Sequence, residues 1–225
     1  MTNRSYYPWL EVAKGHMEAA ILCCQELQNP IRNRGEADPE NNRYEARYYF
    51  NLISPIMFGA KHGAEVFLKS MLEQMGEPDD QDHNILKLFD KAIILVRSGY
   101  LYVVKNADAE TALRSEVLEK LLNKDIPDAK EGLEYFFNNR FLGEATGCGD
   151  IPDPGNQLFR YPYIKMGTVN TPELIAQLVI GVPLDRISAL KMRIGKLERA
   201  LLNIGYVIAV ANRHGIPINA RPASG

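Results

Sequence analysis

Three features of this 225-residue chain predict a mainly all-α fold, an antiparallel helical bundle closed by a long C-terminal helix. Ile187, Leu190, Ile194, Leu197, Leu201, Ile204, Ile208 and Ala211 alternate spacings of three and four, a heptad seam that packs a helix lengthwise against a neighbour. Tyr49, Ile53, Met57, Ala60, Ala64, Phe67, Met71 and Met75 repeat those spacings upstream, so they share one face of a second long helix. Glycine, proline and acidic residues punctuate the chain between such stripes, and residues 158–164 are its one β-prone stretch.

Taken in order, Ser5 is placed to cap the first helix, and Pro8 stands in its opening turn, where a missing amide proton costs little. Trp9, Ala13, Met17, Ala20, Cys24 and Leu27 form its core stripe, and Asn29-Pro30 ends it. Residues 31–42 hold almost nothing apolar and read as a flexible connector. The second helix begins near Asn42 and contains Pro55, which predicts a kink near Ser54 or two helices end to end. Gly76 to Asp80 stop it, and Asp82 is the expected cap of a third helix over residues 84–96. Two more, over residues 107–123 and 129–142, are separated by the turn chemistry of Asp125-Ile126-Pro127-Asp128. Residues 143–157 read as a long loop, and Pro162 confines Leu158 to Ile164 to a sheet edge with Ile216 to Ile218 as partner. The seam helix ends before Gly215 and Pro217. Residues 1–225 together read as one domain.

Composition narrows the function classes. A net charge of -2 and a pI near 6.1 exclude a globally basic nucleic-acid binder, so any such site must be a local patch. Cys23 and Cys24 are adjacent and Cys148 stands alone, which fits neither a disulfide framework nor zinc spacing and points to a reducing cytoplasm. No apolar run approaches the roughly 20 residues that span a bilayer, so no membrane partner is expected.

On the second helix a polar group, Lys61, His62, Glu65 and Lys69, is expected opposite the core stripe, lining a groove or meeting water. The run Ala60-Lys61-His62-Gly63-Ala64-Glu65, the acidic turn with Asp82-His83, and the segment Phe159-Arg160-Tyr161-Pro162 together resemble the HEPN family. That resemblance implies a small helical bundle of prokaryotic toxin, defence or RNA-processing systems, in which the histidine of the Asp82-His83 turn ties the turn together. Active members are ribonucleases with an arginine followed, after four to six intervening residues, by a histidine. Here His16, His62, His83 and His214 are preceded at those positions by Trp9-Leu10-Glu11, Pro55-Ile56-Met57, Gly76-Glu77-Pro78 and Val207-Ile208-Ala209. The motif is absent, so the chain leans away from being an enzyme.

Candidate sites follow. His62 and Glu65, three apart, form the best local acid–base pair, either solvated or catalytic. His62, Glu65 and His83 make an incomplete ligand set, so neither metal nor cofactor is expected. The glycine-rich loop lacks the Gly-Lys-Ser/Thr ending of a P-loop. Arg160, between two aromatics, either meets a phosphate or pairs with a carboxylate. Arg186, Arg193, Lys196 and Arg199 flank the heptad seam and form either a phosphate-contacting stripe or a solvated face. The leading expectation is a non-catalytic or atypical RNA-associated protein of a defence, toxin–antitoxin or stress system. It would be homodimeric and would use Lys61, His62, Lys69, Arg160, Arg193, Lys196 and Arg199. The alternatives are a helical protein–protein interaction module and a ribonuclease built on His62 and Glu65.

Overall fold

A computed structural model describes residues 7–28, 39–77, 81–105, 119–147, 149–153, 155, 165–166, 169–170 and 184–213. Among these residues the helices are α1 (Tyr7–Leu27), α2 (Pro39–Gln74), α3 (Ile85–Lys105), α4 (Ile126–Phe137), α5 (Arg140–Thr146) and α6 (Leu184–Arg213). A π-helical turn, Leu121–Asp125, leads into α4. Two short strands, β1 (Lys165–Met166) and β2 (Val169–Asn170), pair antiparallel with Lys165 opposite Asn170.

The architecture is the all-α bundle that the periodicity predicts, with α2 at its centre against α1, α3, α4 and α6. The predicted α2 stripe from Ile53 to Met75 is buried, but so are Ile56, Leu68 and Leu72 on other faces. A helix apolar around most of its circumference belongs inside a bundle. The α6 seam is buried from Ile187 through Ile208. Along it, Cys24 of α1 lies near Lys191 and Glu18 near Glu198, so the two helices run antiparallel. Asp125 meets Asn203 and Glu131 meets Lys196, which sets α4 antiparallel to α6 as well.

The crossing of α1 over α2 depends on two missing side chains. A Cβ at Gly59 would stand 2.7 Å from the carbonyl oxygen of His16, and one at Gly63 would stand 2.9 Å from that of Ala13. Backbones this close leave no room for a methyl group. The approach seats Ala13, Met17 and Ala20 in the core.

Several boundaries differ from expectation. Trp9 is 52% exposed and does not join the core stripe, because α1 is covered only from Ala13 onward. Helix α2 starts at Pro39, inside the expected connector, and runs unbroken through Pro55. That proline is exposed, so its ring displaces no core side chain. Asn84 caps α3, accepting from the amides of Leu86 at 3.1 Å and Lys87 at 3.2 Å. Asp82 instead braces the cap by accepting from Asn84 N. Asp125 to Asp128 form no turn: the π turn passes straight into α4, with Pro127 in its first turn where no amide donor is needed. Helix α5 continues to Thr146, four residues into the expected loop. The segment at residues 158–164 and its expected partner at 216–218 lie outside the described residues.

Candidate functional site

The polar residues of α2 divide between core and rim. Lys61 and Glu65 are each 2% exposed, which corrects the expectation that they line an open groove. The reason is the central position of α2, whose neighbours cover this face too. Lys61 Nζ forms a buried ion pair with Asp153 and donates to Asn139 Oδ1 at 3.4 Å. Asp153 is brought there by a strap that folds back beneath α5. Ile151 N donates to Asn138 O at 2.7 Å and Asp153 N to Phe137 O at 3.0 Å. Asn139, left-handed at φ 44°, donates Nδ2 to Ile151 O at 2.8 Å. The strap runs so close to α5 that a Cβ at Gly143 would collide with Gly149.

Glu65 gathers nitrogen-bearing side chains from three directions. His83 Nδ1 lies 2.8 Å from its Oε1, Lys69 Nζ 3.4 Å from the same oxygen, and His62 Nδ1 4.0 Å from Oε2. The His83 contact ties the α2–α3 turn to the middle of α2, the task the resemblance implies for it. His62 stacks on Phe58 with centroids 5.0 Å apart and meets His16 edge-on at 4.8 Å. His62 and Glu65 are thus neighbours, as their spacing predicts, but the carboxylate is buried and has two nearer partners in His83 and Lys69. A carboxylate held that way orients the side chains around it. Among the described residues no group of three or more His, Cys, Asp or Glu is arranged to hold a metal.

A second neighbourhood lies where the π turn and α4 meet α6. Arg193 stacks its guanidinium 4.4 Å from the centroid of the Tyr135 ring and reaches Glu131 at 3.5 Å. Lys196 sits between Asp128 at 3.1 Å and Glu131 at 3.0 Å. The hydrogen bond to Glu131, then the one to Asp128, raise the Lys196 pKa, and the Glu131 carboxyl is lowered in return. The α6 cations are therefore partly answered by acids of α4, which a reading of α6 alone could not show.

Beside them opens a cleft of about 310 Å³ lined by Lys120, Lys124, Asp125, Asp128, Lys196, Arg199, Ala200 and Asn203. Asp125 is buried and accepts from Asn203 Nδ2 at 3.0 Å, while Lys196 is engaged as above. Arg199 donates Nε to Gly195 O at 3.1 Å. Among the described residues Lys120, Lys124 and Arg199 form no ion pair with a carboxylate, and the described lining, four cations against two carboxylates, is net positive. The volume suits a compact ligand. The lining is polar except for Ala200, and the chemistry it offers is anion binding.

Of the sequence candidates, Lys196 and Arg199 meet at this cleft, Arg193 lies beside it, Lys61, His62 and Lys69 belong to the α2 cluster, and Arg160 lies outside the described residues. Lys120, Lys124 and Asn203 were missed. The spacing of four between the two lysines, one helical turn, was the available signal. No described helix is long and apolar enough to cross a membrane. Compared with protein-family models, curated proteins and solved structures, the chain matches none.

Proposed function

We propose that this chain is a non-catalytic, RNA-associated helical bundle that holds phosphate groups in the α4–α6 cleft. The observation that carries the reading is the convergence of Lys120, Lys124 and Arg199 on one concave surface, with no carboxylate paired to them among the described residues. A surplus of cations over the two carboxylates of the lining attracts polyanions, and the counterions released on binding make it salt-dependent. The resemblance of Ala60 to Glu65 and Asp82-His83 to HEPN proteins favours RNA as the polyanion, and a cytoplasmic defence or stress system as the setting. The burial of Glu65 under His83 and Lys69 favours binding over cleavage.

The test is anisotropy of labelled RNA at two salt concentrations. Lys124→Glu combined with Arg199→Glu is expected to weaken binding at least about tenfold and to flatten the dependence of log K on log salt by about one to two. Unchanged affinity and slope would remove the cleft from the binding surface. Labelled RNA cleaved by wild type and spared by His62→Ala would revive the ribonuclease alternative.

A further inference from the structure

The outward face of α6 carries a second regular pattern. Met192, Lys196, Arg199, Asn203 and Tyr206 follow one another at spacings of four, three, four and three, so they fall within an arc of about 80° on the side away from the core seam. Lys196, Arg199 and Asn203 line the cleft. Met192 and Tyr206, at either end, are 69% and 67% exposed. A bulky apolar side chain left that open, one turn from a cationic cleft, has no role in the core of this chain.

The order of these residues identifies what would cover them. Protein–protein interfaces place apolar residues at the centre and polar residues at the rim; this face is the reverse, charged at its centre and apolar at both ends. The two ends stand about 21 Å apart along the helix, at 1.5 Å per residue, too far to act as one apolar patch. A strand of alternating phosphates and exposed bases has the complementary order, because phosphates meet cations while each base presents a stacking face. Duplex RNA offers phosphates, 2′-hydroxyls and base edges but no open stacking face, since its bases are stacked inside the helix.

Resting on the phosphate-binding reading, we infer that the outward face of α6 selects unpaired over paired RNA, with Tyr206 and Met192 holding bases on either side of the cleft. Tyr206 is the specificity-determining residue, and its ring, not its hydroxyl, supplies the contact.

The experiment measures affinity for a short unpaired RNA, for its duplex and for inorganic polyphosphate, using wild type, Tyr206→Ala and Tyr206→Phe. Wild type is expected to prefer the unpaired strand. Tyr206→Ala should weaken that complex about tenfold, in the range of one lost base stack, and leave duplex and polyphosphate binding unchanged. Tyr206→Phe should behave as wild type. Equal wild-type affinity for strand and duplex, or an equal loss on all three ligands in Tyr206→Ala, would overturn the inference while leaving phosphate binding intact. Absence of binding to all three would overturn the phosphate reading itself. Tyr206-dependent binding of a polyglutamate peptide in preference to RNA would assign the face to an acidic protein and overturn the inference.

Discussion

Replacing Asp153 by alanine removes the carboxylate that Lys61 meets inside the bundle, and the structure sets the scale of the loss. Both side chains are 2% exposed, so the ammonium cannot turn to water when its partner is removed. Asn139 Oδ1 at 3.4 Å is a neutral acceptor and does not balance the charge. Breaking a buried pair from one side costs about 3–5 kcal/mol, against at most about 1 kcal/mol for an exposed pair. At roughly 2.1 cal/mol/K per residue over 225 residues, that corresponds to a fall in Tm of about 6–11 °C. Lys61→Met alone should cost a similar amount, because it strands Asp153. The double variant should return to within about 2 kcal/mol of wild type, since replacing both charges removes the desolvation penalty with the attraction. Thermal melts and urea unfolding of the four proteins give the coupling directly. A loss below about 1 kcal/mol in Asp153→Ala, or strictly additive losses in the double variant, would refute the buried pair as the anchor of the strap.

Three further outcomes follow from the same structure. Burial pushes the Cys24 thiol up to about 12 and raises Cys23 as well. At pH 8 Cys24 should resist alkylation until the chain unfolds, as read by mass spectrometry, and its rapid labelling would contradict its burial. Because the folded pKa of Cys24 lies above its unfolded value, its stabilising contribution is complete below about pH 9 and is lost as pH rises toward about 12, so urea midpoints should fall across that interval. Glu131→Gln removes one of the two acids beside Lys196 and should strengthen RNA binding and steepen its salt dependence; weaker binding would count against the cleft. Gly63→Ala should destabilise by about 1–3 kcal/mol by overpacking the α1–α2 crossing, whereas Gly15→Ala, with nothing within 4 Å, should stabilise by about 0.5–1 kcal/mol. Equal effects at the two positions in urea unfolding would show that the crossing is looser than described.

The helices were legible because their burial repeats with the helical period. The α6 seam from Ile187 to Ile208 and the α2 stripe from Ile53 to Met75 lie where their spacing puts them. The boundaries were less legible because they depend on context. Pro55 does not divide α2, which runs unbroken through it with the ring on an exposed face, and Asp125 to Asp128 have turn composition but enter α4 through a π turn. Lys61 was misplaced for a reason visible in hindsight. It stands four residues after Met57, three before Ala64 and seven before Leu68, all of them buried, so periodicity alone puts it on a covered face. Charge argued for the surface, and charge loses when a partner waits inside. That partner, Asp153, is 92 residues away, beyond the reach of any local pattern.

The same separation decides what a sequence can say about the cleft. The basic stripe of Arg193, Lys196 and Arg199 reads as one feature on α6, yet it divides once α4 is laid beside it. Asp128 and Glu131 take Lys196 and Arg193, and Arg199 is left to join Lys120 and Lys124 across the groove. A cation's availability is thus a property of the helix pair. Periodicity can identify which residues of α6 face outward, and it does so for Met192 through Tyr206, but antiparallel packing determines which of those charges are already answered. The residual field at the cleft is the difference between two helices, so substitutions on α4 should tune RNA affinity as strongly as substitutions on α6.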